Sequence, residues 1–230
     1  MQRHTLAILA VAAASLAPFL GGCVGTKQPA GIQQVDSLVS RIERLDLEAE
    51  LAQQQAQEAV GALRSIVRGE LRTDAVKSHT GYLDAVERSA NQLRRMRDAV
   101  PPMQRAAASV FESWAVDTQS ILSPTLREKS AERRAAAGDR YLAILEALEP
   151  ADLALAAFNG TLRDHALFLG NDLNSSSIQS LEPELERLRQ MLAIVDQRVQ
   201  NLHRAAADYV RTSAPLGKVQ VSGSGTSSSR

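Results

Sequence analysis

The stretch VDSLVSRIERLDLEAELAQQQAQEAVGALRSI, residues 35–66, decides the fold. Apolar side chains recur in it at alternating steps of three and four: Val35, Leu38, Ile42, Leu45, Ala49, Ala52, Ala56, Ala59, Leu63 and Ile66. At 3.6 residues per turn these positions gather into one stripe, the seam of a helix in a bundle or coiled coil; a half-buried strand would need strict alternation. Ala49, Ala52, Ala56 and Ala59 follow one another along the seam, so a partner helix can approach closely at mid-length. Gly69 supplies a stop signal.

The last third of the chain repeats the pattern with Ile178, Leu181, Leu185, Leu188, Leu192, Val195, Val199, Leu202, Ala206 and Tyr209. Two longer segments lie between. One is expected to start at Thr73, an N-cap residue with Asp74 behind it, and shows Val76, Leu83, Val86, Ala90 and Leu93. Its seam then slips to Met96, Val100, Met103, Ala107, Val110 and Trp114, a change of phase that alters local supercoiling. Ser123-Pro124-Thr125 marks a turn: a capping residue, Pro at the first helical position, and Glu128 spaced for a capping box with Thr125. The next segment reads Ala137, Tyr141, Ile144, Leu148, Ala151, Leu155, Phe158, Leu162, His165 and Leu169, before Gly170-Asn171 and Ser175-Ser176-Ser177 punctuate it. Pro101-Pro102 and Pro150 fall inside these middle helices, and Asn159-Gly160 adds a turn-like dipeptide. Two kinked helices are favoured, with a set of shorter, broken ones as the alternative.

The expected fold class is therefore all-α, an elongated antiparallel bundle of about four long helices. Outer helices of about 36 residues and middle ones of about 48 differ by ~18 Å at 1.5 Å per residue. In up-down-up-down order the central turn returns to the end where the first helix begins. Its tip, with Phe111, Trp114, Ile121 and Leu122, is expected to extend beyond the bundle towards the membrane.

Ahead of the bundle, Arg3 and His4 precede an apolar run from Leu6 to Leu20. That run is about 15 residues, short of the ~20 that span a membrane, and fits the apolar region of a signal peptide. It ends in Leu20-Gly21-Gly22-Cys23, on the only Cys of the chain. This resembles the bacterial lipobox, in which the thiol is acylated and becomes the first residue of the mature protein. The alternatives are an ordinary secretory signal followed by a free Cys, or an anchor that is never cut. The domains then read as a signal peptide (1–22), a lipidated tether (23–30), the helical bundle (31–212) and a disordered Ser/Gly-rich tail (213–230). Val24 follows the Cys where an Asp would resemble an inner-membrane retention signal, which points to the periplasmic face of the outer membrane.

Composition narrows the function. The chain has 230 residues with 26 Lys and Arg against 26 Asp and Glu, so it lacks the basic excess of a general nucleic-acid binder. One Cys excludes an internal disulfide framework and a Cys-rich zinc site. His79, His165 and His203 fall on different expected helices, and no His-x-x-x-His or Glu-x-x-His pair links them. His165 lies on the apolar seam and reads as a core histidine. No Gly-x-Ser-x-Gly elbow and no phosphate loop is present, and pairs such as Glu128 and Glu132 read as solvated helix faces. The Arg94-Arg95-Arg97 cluster, with Asp98 beside it, reads the same way. Neither a metal, nor another cofactor, nor an enzymatic activity is expected. Trp114 reads as a core residue by its spacing, and with Phe111 it is the candidate for an interaction site near the hairpin tip.

Several motifs carry a family likeness: Phe111-Glu112-Ser113-Trp114, Ser123-Pro124-Thr125-Leu126-Arg127, Glu149-Pro150, Leu155-Ala156-Ala157-Phe158, Arg163-Asp164-His165-Ala166-Leu167-Phe168-Leu169, Asn171-Asp172-Leu173-Asn174 and Ile178-Gln179-Ser180-Leu181. Across most of residues 33–210 the chain resembles a family of uncharacterised bacterial envelope proteins catalogued only as a domain of unknown function. Pro101-Pro102 and Asn159-Gly160-Thr161-Leu162 depart from its pattern. The resemblance implies an exported, helical, often lipid-anchored protein, and brings no activity, cofactor or catalytic residue.

The expected function is that of a membrane-anchored lipoprotein acting as a non-catalytic structural or protein-interaction module of the envelope. Its expected partners are the membrane, through the acyl anchor, and an envelope protein. Self-association through exposed seams stands as an alternative to packing within one chain. The alternative function is a carrier of lipid or another hydrophobic ligand, opening near Met96, Met103 and Leu148, since Met side chains adapt to apolar guests.

Overall fold

The structure, a computed structural model, describes residues 30–69 and 74–213. The expectations for the signal peptide, Cys23 and the Ser/Gly-rich tail beyond Ser213 lie outside the described residues. Among those described there is no strand, and the helices are α1 (Ala30–Val67), α2 (Ala75–Ser120), α3 (Pro124–Asn171), α4 (Ser175–Ser180) and α5 (Glu182–Ser213). None of them is long and apolar enough to cross a membrane.

The first seam is the core. From Leu38 to Ile66 its side chains are no more than 2% exposed, and Val35 is half-buried at the end. The long helices form an antiparallel bundle in which α1 lies against α2 and α5, and α3 completes the ring by packing on the same two. Ties between helices fix the register: Gln53 donates to Asp196 at 2.7 Å, Gln92 to the carbonyl of Glu48 at 3.3 Å, and the Tyr82 hydroxyl to the carbonyl of Leu162 at 2.8 Å.

All ten expected seam positions of α3 are buried, His165 included. Those of α2 need correction. Val76 and Leu83 are 63% and 41% exposed, while Tyr82 and Ser89 face inward. The seam runs Tyr82, Ser89, Met96, Met103 and Val110, in steps of seven, so the slip of phase read from the apolar residues is absent. The apolar run through Val76 and Leu83 draws the stripe one position away from Tyr82 and leaves out Ser89. Here Tyr82 buries its ring because Leu162 offers its hydroxyl an acceptor, and Ser89 is small enough to sit at the interface.

The prolines do not break the helices: α2 runs on through Pro101 and Pro102, and α3 through Pro150 and Gly160. Close to these prolines an Arg97–Asp152 ion pair, with Nε 2.5 Å from Oδ1 and a second nitrogen 3.0 Å from Oδ2, bridges the two helices.

Two boundaries differ from expectation, and a third, at Ser123, is as expected except for its capping box. Asp74, and not Thr73, caps α2, its carboxylate accepting from the Val76 amide at 3.0 Å. Ser123 occupies the N-cap of α3 with Pro124 after it, which puts Thr125 inside the helix, where a capping box with Glu128 cannot form. The final segment starts with the short α4, capped by Asn174 through the amides of Ser176 and Ser177, and turns at Leu181 into α5. Gly69 ends α1 as expected, with φ +65°, the left-handed region where a side chain is strained.

Candidate functional site

The hairpin of α2 and α3 outreaches its neighbours. The Glu48–Gln92 register sets Ala30, the start of α1, beside roughly Val110 of α2. At the same level Phe111 packs on Tyr141 (ring centroids 5.9 Å apart) and Tyr141 on Tyr209 (6.5 Å), four residues before α5 ends. Among the described residues, α5 ends four residues beyond this aromatic layer, and past that point only α2 and α3 continue. About ten further residues of α2 carry the arm some 15 Å past the start of α1.

With only two helices the arm buries little, and its interior is polar. The Trp114 indole N–H donates to the Ser130 hydroxyl at 3.0 Å; Thr118 and Ser130 hydroxyls are 2.7 Å apart, and Thr118 also donates to the Trp114 carbonyl at 2.7 Å. At the turn, the Arg127 guanidinium donates to the Ile121 carbonyl at 3.1 Å. Leu122 is 93% exposed, Val116 63% and Leu126 59%. The two candidate interaction residues, Phe111 and Trp114, are half-buried and hold the arm together. The apolar side chains it offers outward are Leu122, Val116 and Leu126, of which the sequence reading had singled out only Leu122.

Along the body, polar side chains tie helix to helix. His203 of α5 sets Nδ1 at 2.9 Å from Asp46 and 3.1 Å from Glu50, one turn apart on α1. Burial pushes the Asp46 carboxyl above its ordinary range, and the imidazole beside it pulls the other way. The three ligand atoms lie within 4.8 Å of one another, close enough to hold a small cation, and as they stand they bond to each other. Sequence spacing had kept these residues apart, because the third ligand comes from a helix 157 positions along the chain from Asp46.

His165 is buried on the seam, its Nε2 3.6 Å from Glu184 of α5 and its Nδ1 without a hydrogen-bond partner. Burial lowers its pKa below the ordinary 6.5, against the opposing pull of Glu184 and Asp164. Glu48, on the face of α1 toward α2, is 3% exposed and held by Arg44 and Gln92. A buried carboxylate without partners would be costly, and these two donors supply them. Of the Arg94-Arg95-Arg97 cluster, Arg94 bonds Asn91 on its own helix and Arg97 reaches Asp152.

A family model described as "Protein of unknown function (DUF2959)" matches residues 24–212. The chain belongs to this family. The match takes in all five helices, so the DUF2959 region and the bundle coincide. No curated protein and no solved structure matches the chain.

Proposed function

We propose that the protein is a lipid-anchored component of the cell envelope, held through Cys23 at the periplasmic face of the outer membrane, and that it acts without catalysis as a rod presenting its far end to an envelope protein. The observation that carries this reading is the pair of unbroken helices of 46 and 48 residues, each about 70 Å long. Polar residues that could form a chemical site are engaged in bridging helices, which stiffens the rod. At the end away from the arm, Val76, Leu167 and Phe168 are exposed apolar side chains that a partner could cover.

The test is photo-crosslinking in whole cells with the probe replacing Phe168, read by mass spectrometry. A reproducible protein adduct supports the spacer and identifies its partner; acyl-chain adducts at that position would reverse the orientation. An intact mass without acyl chains on Cys23 would remove the anchor.

One feature favours the carrier as a second reading. An open groove of about 490 Å³ lies between α2 and α3, lined by Leu83, Val86, Ala90, Gly160, Ala166 and Leu167 together with Glu87, Asn159 and Arg163. It lies away from Met96, Met103 and Leu148, which are packed in the core. Lipid retained by the purified protein in native mass spectrometry, and lost in Ala90→Glu, would move the carrier to first place.

A further inference from the structure

We infer that the tip of the arm, Ile121 to Leu126, seats in the surface of the same bilayer that holds Cys23, giving the rod a second membrane contact. This rests on the anchored reading above. The arm points from the bundle end where the chain arrives from Cys23, and it passes the start of α1 by about 15 Å. The seven residues from Val24 to Ala30 extend at most about 25 Å whatever their conformation. An acylated Cys23 therefore keeps the start of α1 within that distance of the bilayer surface, and the arm covers more than half of it.

The chemistry of the tip suits an interface. Ile121-Leu122-Ser123-Pro124-Thr125-Leu126 is six residues without a charge, with Leu122 and Leu126 turned outward. Burying a turn in headgroups is costly where backbone polar groups lose water, and this turn satisfies several itself. The Ile121 amide donates to the Thr118 carbonyl at 3.3 Å, its carbonyl accepts from Arg127, and the Arg127 amide donates to the Ser123 carbonyl at 3.0 Å. Around the tip, Arg127, Lys129, Arg133 and Arg134 are balanced by Glu112, Asp117, Glu128 and Glu132. Attachment thus rests on apolar insertion and not on attraction to anionic lipid, so added salt leaves it in place.

Acylation would occupy the only Cys of the chain, so Ser123→Cys adds a single free thiol at an exposed cap that makes no side-chain cap bond. The lipidated full chain, labelled there with an environment-sensitive fluorophore, is reconstituted in phosphatidylethanolamine–phosphatidylglycerol vesicles with a headgroup-proximal quencher lipid. Quenching of about twofold or more is expected at position 123, little at a Phe168→Cys control, and loss of the effect on adding Leu122→Asp and Leu126→Asp. Both leucines are exposed, so the double variant keeps the fold, which circular dichroism checks. An acylated protein whose position 123 is no more quenched than 168 overturns the tip contact and leaves the anchor standing. An unacylated Cys23 overturns both.

Discussion

The body of the bundle and its arm are built from the same two helices and held by opposite means. In the body, α2 and α3 bury apolar seams against α1 and α5, and the core runs without a gap from Leu38 to Ile66 on the α1 side. In the arm the same helices have only each other. There Thr118 is the one buried residue between Trp114 and Ser130, and hydroxyls and an indole N–H hold the pair together. The arm is polar inside, where Trp114, Thr118 and Ser130 meet, and it leaves Leu122 and Leu126 outside.

That contrast can be broken most sharply in the body. Phe158→Ala empties a fully buried position of α3 and should cost about 3–5 kcal/mol, read as a fall in the urea midpoint. A loss below about 1 kcal/mol would mean that the core is looser than its burial implies. Overpacking comes next. Ala52→Leu pushes bulk into the close approach of α1 to its neighbours and should cost about 1–3 kcal/mol by the same assay.

In the arm, Ser130→Ala removes the partner shared by Trp114 and Thr118, a local loss of about 1 kcal/mol. Amide exchange should quicken over residues 112–130 and stay unchanged around Ile144. Equal acceleration in both regions would show that the arm and body unfold together.

His165 gives the body a pH dependence of known sign. Its folded pKa is lowered from 6.5 by burial, so the unfolded chain takes up a proton first as pH falls. Stability is unaffected by this group above that value and is lost as pH drops from about 6.5 through the folded pKa. Denaturation at pH 7.5 and 5.5 should show a difference that shrinks in His165→Gln; an unchanged difference would assign it elsewhere. The smallest effect is expected at the tip, where Leu122→Ser should shift stability by no more than about 0.5 kcal/mol, since its side chain touches little.

Legibility followed the same division. The seam of α1 and the ten positions of α3 could be read directly, because each is apolar throughout but for His165 and helical periodicity is local. The first half of α2 could not. Its stripe includes Tyr82 and Ser89, whose inward placement depends on an acceptor 80 residues away and on the room the facing helix leaves. Nor could the burial of Glu48, which rests on Gln92 from the next helix. The arm was partly legible: helix lengths placed a protruding tip correctly, while the internal role of Trp114 depended on meeting Ser130 across the hairpin.

The sequence alone determined that this chain is helical, where its long helices turn, and that the middle pair outreaches the outer pair. Period, cap residues and length are properties of neighbours along the chain. Only the tertiary structure decided which face of α2 is inside, that Asp46, Glu50 and His203 meet, and that the arm shows Leu122, Val116 and Leu126 while hiding the Trp114 N–H. Those outcomes depend on partners brought together by packing, and the period of a single helix carries no record of them.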